Sequence, residues 1–371
     1  MIQNIQTLRV IFAFLVVTAH LQTIYTLMGL VKGPHGIDGV ATDGFLIVSA
    51  FVIIFSDLRK QKPPLEFVGR RFARLVPFYW IITLFVAALC LAAPGLFRTT
   101  VVSPETLLKS LFFIPYAKHG DIVAPIVFVG WTMNYIVWFI VMHAVYLWLF
   151  GRNAWMATAA TLAALALIGA ALRPSDVVMN FFTGPRQISF AFGALAAGLW
   201  DRWPIRLDRH KSGGVRTLAI ALITAALTVR FGQQIYFPAI DMRYVGPFAA
   251  IVVVFGALLL EANGDAHRGK WRDLLAEATF SIYLTHFFAT QAAQKAAVAL
   301  DVQHPVVLAG LALGAYIGTA VLGVVVCRWV EKPLDRLVRD GWRWASHRAA
   351  RQPAPLAPHT REDASPAGPT P

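Results

Sequence analysis

The sequence predicts an all-α, polytopic integral membrane protein of about ten transmembrane helices with both termini in the cytoplasm. Three observations predict it. The chain has 371 residues, of which 57% are apolar and only 14% charged, with a mean hydropathy of +0.60; soluble domains carry nearer 25% charged residues, so this chain lacks the polar side chains to coat a globule. Continuous apolar stretches recur at about the 20 residues that an α-helix needs to cross ~30 Å of hydrocarbon. The basic residues crowd into alternate loops, as the positive-inside bias requires.

The stretches fall at 8–29, 39–56, 75–93, 122–150, 155–172, 186–200, 216–236, 243–260, 278–298 and 305–330. They are continuous rather than alternating, so helices fit and the short alternating strands of a membrane barrel do not. The first follows a single early positive charge, Arg9, and has no small-x-small site after it, so it reads as a retained helix and not a cleaved leader. The sixth is short and the seventh carries Arg230. The loops 57–74, 151–154, 201–215 and 261–273, with the tail from Arg328, hold most of the basic residues; this set is assigned to the cytoplasm. Residues 1–332 form the membrane domain. Residues 333–351 form a basic segment with Trp342 and Trp344, placed to lie on the inner surface as an amphipathic helix. Residues 352–371 are Pro/Ala-rich and read as disordered. No internal repeat is visible, which weakens an inverted-repeat transporter.

Composition excludes a soluble enzyme, a disordered chain and a disulfide-stapled module. The excess of 33 Lys+Arg over 20 Asp+Glu would suggest nucleic acid in a soluble protein; here loop placement and membrane lipids account for it, and no nucleic-acid partner is expected. Cys90 and Cys327 both lie in apolar runs and have no metal-ligand spacing, so no metal is expected.

Ionisable groups inside hydrocarbon are costly and mark sites by default. Arg9 and His20 are 11 positions apart, three helical turns plus about 20°, hence on nearly one face and ~16 Å apart in depth. Histidine titrates near neutrality and can accept a proton; an interhelical hydrogen bond is the competing role. Asp43 opens the second stretch and could orient a protonated His20, or simply face water at a helix end. Arg70, Arg71 and Arg74 precede Leu75-Val76-Pro77-Phe78-Tyr79-Trp80; Arg71 and Arg74 share a helix face and suit phosphate, or anionic lipid. His286 follows Tyr283 by one turn on the same face of the ninth stretch.

Taken in order, these strings resemble the acyltransferase family 3 membrane proteins, in particular their exopolysaccharide O-acetyltransferase branch. The strings are Arg9 and His20; Asp43 through Phe51, with Ala50 in place of a glycine; Arg71, Arg74, Leu75, Pro77 and Tyr79; Gly130-Trp131-Thr132-Met133-Asn134-Tyr135; Ser281, Tyr283, Leu284 and His286; and Glu331-Lys332-Pro333. Ile136 stands where the family usually has glutamate.

The resemblance implies transfer of an acyl group, usually acetyl, from cytoplasmic acetyl-CoA to a sugar hydroxyl of an exported or cell-envelope polysaccharide, free or lipid-linked, at the bacterial inner membrane. On that reading His20, Asp43 and His286 serve catalysis. Arg9, Arg71 and Arg74 hold the acetyl-CoA donor. Trp131, Asn134, Tyr135 and Tyr283 contact the acceptor. Two other readings stay open: a transporter or exporter of a lipid or glycan, since carriers also use intramembrane histidines and acids, and a catalytically silent member, because of Ile136.

Overall fold

A computed structural model describes residues 2–30, 37–96, 100–118, 122–205, 211–236, 242–266 and 268–350. Among them the regular structure is helical, with one isolated antiparallel bridge between Ala117 and Val123. The helices are α1 (Gln3–Ala19), α2 (Gln22–Leu27), α3 (Ile37–Lys60), α4 (Pro64–Ala92), α5 (Pro104–Leu111), α6 (Trp131–Phe150), α7 (Ala154–Leu172), α8 (Val177–Thr183), α9 (Arg186–Arg202), α10 (Gly213–Tyr236), α11 (Met242–Ala262), α12 (Lys270–Glu277), α13 (Thr279–Ala299), α14 (Pro305–Val326) and α15 (Lys332–Ala350).

Each of the ten apolar stretches contains a helix, but fewer meet the demands of a span. Six helical stretches among the described residues are long and apolar enough: Gly39–Lys60, Pro64–Ala92, Phe128–Leu172, Gly213–Gly232, Val245–Ala262 and Pro305–Gly341. One of these, Phe128–Leu172, holds two helices, α6 and α7. The shortfall from ten has physical causes. The first stretch breaks at His20 and leaves α1 at 17 residues. Helix α9 also has 17. Helix α13 carries His286, Gln291, Gln294 and Lys295, which lower its hydropathy. The protein is an integral membrane protein by these helices. The basic segment expected after Lys332 is the helix α15; residues 352–371 lie outside the described residues.

Local chemistry sets the helix ends. Pro64 opens α4 at a position where its missing N–H costs nothing. Ser103 and Thr106 cap α5 reciprocally. The N-terminus of α1 is held by another helix: the Glu261 carboxylate at the end of α11 accepts from the amides of Gln3 (3.0 Å) and Asn4 (2.7 Å), a negative charge placed at a helix N-terminus.

Helix α3 is central. It packs against α1, α9 and α11 and buries Leu46, Ile47, Val48, Ala50 and Ile54. Gly193 on α9 faces the Ile47 carbonyl so closely that any side chain there would overlap it; glycine lets the two backbones meet. Helix α13 packs on α14 and α1, α10 on α11, and α15 returns along α4. Helices α14 and α15 are continuous through a π-helical segment, Cys327–Glu331, a geometry often found at functional positions.

Between α5 and α6 the chain is irregular but buried at Ala124, Ile126, Val127 and Val129, as irregular backbone inside a membrane protein must be. The Ile126 amide donates to Ser110 Oγ (3.0 Å), and Lys118 Nζ donates to the Ile126 carbonyl (3.3 Å). Burial pushes the Lys118 ammonium down from 10.5 to about 8. Between those values the unfolded chain binds more protons than the folded one, so stability rises with pH across that window and the penalty is full below it. The thermal midpoint of detergent-solubilised protein is expected to gain from pH 8 to 10.5 relative to Lys118→Met. Parallel pH curves for the two proteins would refute this.

Candidate active site

At the basic end of the bundle a cavity of about 550 Å³ opens between α3, α4, α15 and the π-helical segment, with Ser56, Asp57, Arg71, Arg74, Glu331 and Arg336 among its lining. Its size is that of a ligand pocket, roughly 300–1,000 Å³. Arg71 is fixed from α3: its Nη2 donates to the Ile53 carbonyl (3.1 Å) and to Ser56 Oγ, and its guanidinium lies over the Phe67 ring at 5.5 Å. Arg74 Nε pairs with Glu331 Oε1 (3.5 Å). Glu331 is 3% exposed and its other oxygen accepts from Ser281 Oγ (2.6 Å). One carboxylate thus ties the cavity arginine to the first turn of α13. Arg9 lies nearby, half-buried, bonded to Gln6 Oε1 (2.9 Å) and within Coulombic range of Arg74 and Glu331. The three arginines expected to hold the donor therefore gather at one end, two of them in the cavity wall.

From Ser281 the same helix runs ~7.5 Å deeper to His286. Here the structure brings together the two histidines that lie 266 positions apart in sequence. The rings of His20 and His286 are 4.9 Å apart between centroids at 76°. His20 Nδ1 bonds the Val16 carbonyl (2.8 Å) and His286 Nδ1 bonds the Tyr283 carbonyl (2.7 Å). A carbonyl only accepts, so both Nδ1 atoms carry hydrogen, and each neutral ring must present Nε2 as a bare acceptor. His286 is fully buried, and its Nε2 has no partner. His20 is half-buried, with Phe128 edge-on to it at 6.1 Å.

Asp43 is not brought to His20. It sits ~21 Å along α3 from Asp57, 3% exposed, where its Oδ1 accepts from Ser189 Oγ (2.8 Å) and pairs with Arg186 (3.7 Å). Gly246 lets α11 come against the carboxylate, leaving no room for a side chain. Arg186 in turn lies over the Trp131 ring at 4.4 Å. Tyr135 donates to the Phe181 carbonyl (2.9 Å), and Asn134 is buried with its Oδ1 unpartnered. Tyr283 is stacked on Phe45 (4.4 Å), accepts from Thr132 Oγ1 (2.9 Å) and donates to the Val129 carbonyl (3.2 Å), which ties the α6 string to the turn before His286. Ile136 is packed in the apolar core.

Sequence reasoning missed Arg186 and Ser189 as the partners of Asp43. Their only signal is a polar pair three apart at the start of an otherwise apolar stretch. It also missed a second buried pair behind the cavity, Asp57 and His143 (3.8 Å), whose imidazole Nδ1 bonds Thr158 Oγ1 (2.8 Å).

A helical bundle that holds an imidazole pair with open acceptors on the same helix that meets a guanidinium-lined pocket fits a membrane acyltransferase, and that is the class to which this chain belongs. Residues 2–329 match the family described as "Acyltransferase domain", and the chain is a member of acyltransferase family 3. It is 30% identical over 309 residues, 82% of this chain and 92% of the relative, to the exopolysaccharide production protein ExoZ of Rhizobium meliloti (strain 1021). No solved structure matches.

Proposed function

We propose that the protein is an O-acetyltransferase of the bacterial inner membrane. It would move an acetyl group from cytoplasmic acetyl-CoA to a sugar hydroxyl of an exported or cell-envelope polysaccharide. The observation that carries this reading is the His20–His286 pair with open Nε2 acceptors, connected along α13 to the arginine-lined cavity. The relative named for exopolysaccharide production supports the acceptor class.

The donor suits the cavity. Its phosphates are bidentate acceptors for guanidinium groups, and Arg71 and Arg74 would hold them while the acyl end reaches deeper along α13. A sugar hydroxyl is a weak nucleophile at its own pKa and needs a base. His20 is the base, because it is the half-open ring of the two. Its Nε2 takes the hydroxyl proton as the sugar oxygen bonds to the thioester carbon. The C–S bond then breaks, and the leaving thiolate takes that proton, giving the acetyl ester and free CoA. His286, sealed behind it, shares the proton while it is held. Asp43, Arg186 and Trp131 belong to the acceptor side, where an indole and a half-open guanidinium offer stacking and hydrogen-bond donors to a sugar.

The test is direct. Purified protein in nanodiscs, given acetyl-labelled acetyl-CoA and de-O-acetylated exopolysaccharide from its own cells, is expected to label the glycan and release free CoA without any ion gradient. If thioester and glycan both remain unchanged, the reading falls, and glycan or lipid translocation in the same nanodiscs' vesicle form would mark a carrier instead.

A further inference from the structure

We propose that Gln294 is the positioning residue for His20, a role that rests on the reading of His20 as the base. The chain breaks where the imidazole sits. Helix α1 stops at Ala19, His20 and Leu21 make a turn, and α2 restarts at Gln22. A continuous helix would pair each carbonyl with the amide four residues on. In the turn that ladder shifts: the Leu21 amide goes to Thr18, and the Ile24 and Tyr25 amides both go to Leu21. The His20 carbonyl and the Thr23 amide are among the backbone groups this leaves without a ladder partner, and such groups are costly to leave unpaired in a membrane interior.

Gln294, on α13 and 9% exposed, fills both vacancies. Its Nε2 donates to the His20 carbonyl (2.8 Å) and its Oε1 accepts from the Thr23 amide (3.1 Å). The two partners fix the amide orientation, since one can only accept and the other only donate. The imidazole is then clamped twice, its ring by the Val16 carbonyl and its backbone by Gln294. Because Gln294 and His286 stand on one helix, the clamp also sets the spacing of the two rings. Ordinary interhelical glue would hold α1 anywhere along α13; a side chain that closes the two open ends of a helix break holds one residue in one place.

The experiment compares Gln294→Met, which removes both bonds at similar volume, with Gln294→Glu, which keeps the acceptor toward Thr23, using acetyl-CoA and de-O-acetylated glycan with protein in nanodiscs. A misplacement of about 1 Å at a reacting group costs on the order of 100-fold. Gln294→Met is therefore expected to lose about that much turnover with an unchanged KM for acetyl-CoA, and Gln294→Glu to fall between it and the unmutated protein. Full turnover in Gln294→Met overturns the proposal, as does a parallel loss of turnover and donor binding. If the Met variant does not extract as folded protein, Gln294→Glu decides: unmutated turnover overturns the role and an intermediate loss with unchanged KM supports it. His20→Ala runs alongside. If it keeps full turnover, the reading of His20 has failed; if it is inactive while Gln294→Met is not, only the clamp has failed.

Discussion

His20→Ala is expected to lower acetyl transfer to the glycan by about 10²–10⁴-fold, the usual contribution of a positioned general base, while leaving acetyl-CoA binding intact. The geometry behind this is the open Nε2. The ring is anchored through Nδ1 to Val16 (2.8 Å) and stands edge to face with His286, so its lone pair has no structural duty to perform. A purely structural histidine would show the reverse: full turnover after substitution, or a collapse of donor binding together with turnover. His286→Ala is expected to cost less. In the His20→Ala background it should add little, because groups that act as a unit are not additive. A double mutant whose loss equals the product of the two single losses would separate the rings into independent functions. The assay is label transfer at matched amounts of folded protein, with donor binding measured on the same preparations.

Arg71→Ala is the second large effect. Hydrogen bonds between charged groups are worth about 1.5–3 kcal/mol, so the KM for acetyl-CoA is expected to rise roughly 10- to 100-fold, with kcat much less affected. Arg71 suits this role better than its neighbours do. It is held from below by the Ile53 carbonyl and Ser56, and the carboxylate near it, Asp57, acts on it through the Coulombic field, whereas Arg74 is paired with Glu331 and Arg70 with Glu66. Arg71→Lys is expected to recover only part of the loss, since an ammonium cannot reproduce the planar fork. An unchanged KM in Arg71→Ala would take the donor out of this cavity. The comparison also guards against a loss by misfolding, because a damaged bundle would lower kcat as well.

Much of the site was legible before the fold. Arg9 and His20 fall on one face at ~16 Å, and the structure puts one beside the cavity arginines and the other at the imidazole pair. The Arg71 and Arg74 pair was equally readable, since two residues three apart in a helix must share a side. What was not legible is every relation between distant segments. Asp43 looked like a companion for His20 because a carboxylate can orient a protonated imidazole, or else like a helix-end group facing water; the structure gives it Ser189 and Arg186 on α9. The first apolar stretch read as one uninterrupted span because Thr18 through Gln22 hold no Gly or Pro. Its break at His20 is seen only in the fold, where Gln294, far along the chain, bonds two of the backbone groups it exposes. The count of spans suffered in the same way: helices that are short or polar, α1, α9 and α13, are stabilised by neighbours and not by their own hydropathy.

The amino-acid sequence by itself determined that this protein lives in a membrane as a bundle of helices, because a chain so poor in charge has no soluble way to satisfy its backbone, and helical hydrogen bonds are local. It also determined which ionisable residues are out of place in hydrocarbon. Only the tertiary structure decided how those residues combine: His20 with His286, Arg74 with Glu331 and Ser281, Asp43 with Arg186. The reason is that in a medium without water a buried polar side chain not satisfied within its own helix takes its partner from another, and which helix that is depends on packing shape, which no local stretch of sequence encodes.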